Sequence, residues 1–156
     1  MRRWWPGFVL FYITLCTSAF GQSARLLLSS ESDGDARTLI LKLWLDAPSV
    51  SPAGLQWTFV YLPEQVWDIA VSGGPAVQEA HKSLSCAHRP GALNCISVGP
   101  NANATEPGLI ALVRVTLAPA VIDALIPVYD AVGVSPTGRE LEVDSNVGFI
   151  HRDLTK

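Results

Sequence analysis

The sequence predicts an all-β fold: a two-sheet antiparallel β-sandwich of the jelly-roll type, with about eight or nine short strands and minimal helix. Three observations predict it. Apolar and polar residues alternate with period two through most of the chain beyond the first two dozen residues, which is the strand signature. Turn-forming pairs punctuate the alternating runs. Apolar residues at helical spacing are scarce.

In chain order, Arg25–Ser29 is a short candidate strand. From Thr38 to Leu45, Leu39, Leu41, Leu43 and Leu45 alternate with Ile40, Lys42 and Trp44. From Leu55 to Tyr61, Leu55, Trp57, Phe59 and Tyr61 alternate with Gln56, Thr58 and Val60. Trp67–Val71 and Leu93–Val98 follow. Next, Leu109, Ala111, Val113, Val115 and Leu117 share one face, with Ile110, Leu112, Arg114 and Thr116 on the other. Ile126–Ala131, Leu141–Val143 and Val147–His151 complete the set. Asp33-Gly34, Ser51-Pro52-Ala53-Gly54, Gly73-Gly74-Pro75, Pro90-Gly91, Glu106-Pro107-Gly108 and Pro136-Thr137-Gly138 separate these runs. Helix is expected only as one turn at Pro63-Glu64-Gln65-Val66, with proline at its start, and two turns from Ala76 to Ser83. Trp57, Phe59, Val113 and Val115 are expected in the core. Trp67 is expected to be buried with Ile69.

The first residues have a different character. Arg2 and Arg3 precede an apolar run from Trp4 to about Leu15, and Thr17-Ser18-Ala19-Phe20-Gly21 follows as a small-residue stretch. This is the pattern of a cleaved signal peptide over residues 1–21, with Ala19 and Gly21 at the small positions and the cut before Gln22. The run is shorter than the ~20 apolar residues of a spanning helix, and Pro6 and Gly7 shorten it further. Leu15 before Cys16 argues against a lipidated cysteine. Residues 22–156 then form one domain, expected to be secreted, periplasmic or displayed at the cell surface, and to meet a membrane only during export.

The 156 residues are 49% hydrophobic and 16% charged, enough apolar content for a packed core. The net charge is −3, and loss of Arg2 and Arg3 leaves nine basic against 14 acidic residues, a net −5. With no basic patch, nucleic acid is excluded as a partner. Removal of Cys16 leaves Cys86 and Cys95, an even pair on either side of Pro90-Gly91. In an oxidising compartment this predicts a disulfide across a hairpin. A metal pair completed by His81 or His88 lacks the second close pair of ligands that structural zinc sites show.

Chemistry-bearing motifs are sparse. No Gly-x-Ser-x-Gly elbow, phosphate-binding loop, dinucleotide fingerprint or His-Glu-x-x-His pattern occurs. His81, His88 and His151 lie in no motif. Glu140 and Glu142 are two apart on a candidate strand and share one face, expected to be solvated, with Asp144 after them. Glu31, Asp33 and Asp35 flank Gly34 without the later glutamate of a calcium loop. No catalytic residue, metal or cofactor is therefore assigned. Among the aromatics, Trp44 shares a face with Lys42 and is the candidate for exposure and for stacking a carbohydrate ring. Asn103-Ala104-Thr105 is an N-glycosylation sequon, which carries a glycan only in a eukaryotic secretory pathway.

Three segments carry a family resemblance. Ala53-Gly54-Leu55-Gln56-Trp57-Thr58-Phe59-Val60-Tyr61, with Pro63 and Val66 after it, reads as glycine, alternating strand, tyrosine and proline. Gly108-Leu109-Ile110-Ala111-Leu112-Val113-Arg114-Val115 is a later strand opened by glycine. Gly138-Arg139-Glu140-Leu141-Glu142-Val143 with Val147–His151 makes a closing hairpin. In this order they resemble the bacterial superfamily of cohesin-like and carbohydrate-binding-module jelly-roll sandwiches. Leu62 stands where that superfamily often has an acid, and the Cys86–Cys95 hairpin is not one of its general features. The resemblance implies a cohesin-like sandwich that binds a protein partner, as cohesins bind dockerins, or a polysaccharide. The expectation is a secreted, non-catalytic recognition module. A structural subunit of an extracellular assembly and a small secreted hydrolase are the alternatives.

Overall fold

The computed structural model describes residues 24–32 and 38–151. The expected signal peptide, Cys16, Asp33, Asp35 and the His151 side chain lie outside the described residues. Ten strands and one short helix follow in order: β1 (Ala24–Ser32), β2 (Thr38–Asp46), β3 (Gly54–Val60), β4 (Val66–Gly73), α1 (Pro75–Glu79), β5 (Ser83–Arg89), β6 (Ala92–Val98), β7 (Gly108–Leu117), β8 (Asp123–Val134), β9 (Glu140–Ser145) and β10 (Val147–His151).

The strands form the two layers of a jelly-roll sandwich. One sheet runs β4-β7-β2-β1 and the other β5-β6-β3-β8. Strand β9 belongs to both. Its start pairs antiparallel with the end of β8 (Val132↔Glu142), and its end pairs parallel with β1 (Ala24↔Val143). The chain breaks at Asn146 and returns as β10 along the first half of β8. Asn146 fills the break with its side chain. Its Oδ1 accepts the Leu28 N–H at 2.6 Å, its Nδ2 donates to the Leu28 carbonyl at 3.3 Å, and its own N–H donates to the Leu26 carbonyl. An amide thus continues the ladder where the backbone has left it, which satisfies strand groups that would otherwise be orphaned.

The core lies between the layers. Leu26, Leu28, Leu39, Leu41, Leu43, Ile69, Val113 and Val115 face inward from one sheet, and Leu55, Trp57, Phe59, Leu93, Cys95, Ile126 and Val128 from the other. The expected core residues Trp57, Phe59, Val113 and Val115 are all fully buried. The rings of Trp57 and Phe59 meet edge to face, with centroids 6.4 Å apart.

Two expectations are corrected, both by β-bulges. Between Leu43/Trp44 the register with β7 slips, so Ile110 is an extra residue between Leu109 and Ala111. Ile110 and Ala111 are therefore both buried, and Leu109 turns outward beside Trp44. On β4 the register slips between Val66 and Asp68. Trp67 is the extra residue there, and it is 64% exposed instead of buried with Ile69. A bulge inserts one residue and reverses the alternation beyond it. The segment expected to be helical from Ala76 to Ser83 is split as well. Helix α1 ends at Glu79, and Ser83 opens β5. The turn expected at Pro63–Val66 is present, closed by the N–H groups of Gln65 and Val66 donating to the Leu62 carbonyl.

Candidate functional site

The hairpin β5–β6 turns through Pro90-Gly91. Gly91 has φ +72°, where a side chain is strained, and a Cβ there would sit 3.1 Å from the Tyr61 carbonyl oxygen. The Gly91 carbonyl accepts the Tyr61 N–H at 2.9 Å, which ties the hairpin tip to the end of β3. Cys86 and Cys95 are direct cross-strand partners. They form the expected disulfide, with Cα atoms 4.1 Å apart. Cys95 is fully buried and lies opposite Trp57 in the β3–β6 register. The bridge therefore fastens the edge strand β5 to the core.

The outward side of this sheet is where the molecule departs from an ordinary solvated surface. Strand β6 presents Ile96 and Val98. Strand β3 presents Gln56 and Thr58 beside them, through the pairs Gln56↔Ile96 and Thr58↔Asn94. Strand β8 adds Leu125, Pro127, Tyr129, Val132 and Val134. The register between β3 and β8 slips between Gln56 and Thr58, and Asp130 there adopts φ +50°. This bulge lets Tyr129 and Val132, three apart, face the same way. Ile96, Val98, Leu125, Tyr129, Val132 and Val134 are all exposed large apolar residues. They lie on one outward face, Ile96 and Val98 on β6 and the others on β8, with Gln56 and Thr58 of β3 between the two sets. Glu140 and Glu142, exposed as expected, border it as the register partners of Val134 and Val132.

At one end this surface opens into a cleft of about 440 Å³. Val60, Tyr61 and Leu62 form one wall and Leu125 and Pro127 the other, with Gln65 and Asp123 as its polar groups. The cleft exists because β3 stops pairing with β8 after Phe59↔Val128. Tyr61 then turns to Gly91, and Leu62 closes the turn to Gln65. Backbone hydrogen bonds hold the near wall, so the cleft is preformed.

Trp44, the candidate sugar-stacking residue, lies on the opposite sheet. It is 40% exposed and stands between Leu27 and Leu109 in register. Its surroundings include the ion pair of Lys42 with Glu31. Near α1, buried Lys82 donates through Nζ to the backbone carbonyl and to Oδ1 of Asn101, both at 2.8 Å. Burial lowers its pKa. In the sequon, Asn103 is exposed and Thr105 is buried. Among the described residues no group of three or more His, Cys, Asp or Glu could hold a metal ion, and no helix is long and apolar enough to cross a membrane. The apolar surface was missed in sequence because its residues come from separate strands and a bulge. The available signal was the apolar content on both faces of Ile126–Val134.

No protein-family model matches the chain, and no curated protein matches it. Solved structures do. The sixth cohesin of scaffoldin B from Acetivibrio cellulolyticus, solved in complex with a mutant Cel5 dockerin, is 11% identical with a TM-score of 0.69, over 84% of this chain and 99% of that one. The non-cellulosomal cohesin of the hyperthermophilic archaeon Archaeoglobus fulgidus is 9% identical with a TM-score of 0.61, over 83% and 90%. A cohesin from Clostridium acetobutylicum, solved in solution, is 11% identical with a TM-score of 0.69, over 86% and 94%. The fold of this chain is cohesin-like.

Proposed function

We propose that this protein is an exported, non-catalytic recognition module that binds a protein partner through the outer face of the β5-β6-β3-β8 sheet. The observation that carries the reading is the apolar surface of Ile96, Val98, Tyr129, Val132 and Val134. Several large apolar residues exposed on one face among polar ones mark an interaction site. The cohesin-like fold supports the choice, since some cohesins of that fold were solved bound to dockerins. The disulfide supports an oxidising compartment, and residues 1–21 supply the export signal. Domain 22–156 then acts outside the cytoplasm, without a cofactor.

The test uses the exported protein immobilised as bait in native extract, beside an Ile96→Asp/Tyr129→Asp variant and a Trp44→Ala variant. The expected result is a protein retained by wild type and by Trp44→Ala, and lost from the double variant at unchanged melting temperature. A glycan array run in parallel should stay blank. Glycan binding abolished by Trp44→Ala would overturn the reading in favour of the opposite sheet. Mass spectrometry of the exported chain should find its start at or near Gln22, and an intact Met1 or an acylated Cys16 would refute the export assignment.

A further inference from the structure

We draw no further inference here: the strongest candidate, the side-chain cluster in which buried Lys82 donates through Nζ to the backbone carbonyl and Oδ1 of Asn101 in the loop after β6, is a set of satisfied hydrogen bonds with nothing in the structure to show a ligand or a reaction there.

Discussion

The two sheets of the sandwich are alike on their inner faces and unlike on their outer ones. Inside, both present apolar residues, aliphatic on one sheet and aliphatic with Trp57 and Phe59 on the other, alternating except at the bulges. Outside, the β4-β7-β2-β1 sheet presents Arg25, Lys42 paired with Glu31, Arg114, Asp68 and several Ser and Thr, with apolar residues at Leu27, Trp44 and Leu109 and at Trp67 on its edge strand. The β5-β6-β3-β8 sheet presents Ile96, Val98, Leu125, Tyr129, Val132 and Val134, with Ser85, Asn94, Gln56 and Thr58 as the polar residues among them. Folding needs only the inner faces, because burial there supplies the hydrophobic term. An outer face is free of that demand. A charged one keeps the protein soluble, while an apolar one adds nothing to the core and exposes the chain to association. The asymmetry is therefore the ground on which the binding face is proposed.

The largest expected effect lies on the inner side and should be the same in kind for both sheets. Phe59→Ala removes a fully buried ring and should destabilise the fold by about 3–5 kcal/mol, read by denaturant unfolding. A cost near that of an exposed site would break the division between inner and outer faces. Next is the disulfide, which has no counterpart among the described residues of the other sheet. Closing a loop of nine residues should contribute roughly 2–3 kcal/mol. Reduction should lower the melting temperature, and the unfolded, unreduced protein should show no free thiol. Equal stability of the reduced form would mean that core contacts alone hold β5.

Smaller in stability, and the sharpest probe of the asymmetry, are matched surface changes. Val132→Asp on one face and Leu27→Asp on the other should each shift stability by no more than about 1 kcal/mol. Only Val132→Asp should weaken the partner complex by tenfold or more, about 1.4 kcal/mol. Equal binding losses would erase the distinction between the faces. The smallest effect concerns Lys82, away from both faces. Burial lowers its pKa, so the unfolded chain holds more protons between the folded and unfolded values. Stability from this group should therefore rise with pH across that window, which ends at the ordinary lysine value. The difference in unfolding free energy between wild type and Lys82→Met, measured against pH, should show that rise, and a flat difference would count against it.

Period-two alternation and turn residues determined the class of fold, most of the strands and the inner faces. The physical reason is local. A residue at an inward position must be apolar whatever strand pairs beside it, so Leu39, Leu41, Trp57, Phe59, Val113 and Val115 could be placed from spacing alone. The cysteine pair was legible for the same reason, since Pro90-Gly91 folds its own flanks together. The bulges were not legible. Whether an extra residue is accommodated depends on the register of the neighbouring strand, which no local window contains. That register put Ile110 into the core, turned Trp67 out of it, and brought Tyr129 and Val132 to one side. Strand order then placed β6, β3 and β8 next to one another, and the parting of β3 from β8 after Phe59 opened the cleft. The exposed apolar residues of this face and the cleft at its end were decided only by tertiary structure, because they are brought together by strand pairing and not by sequence.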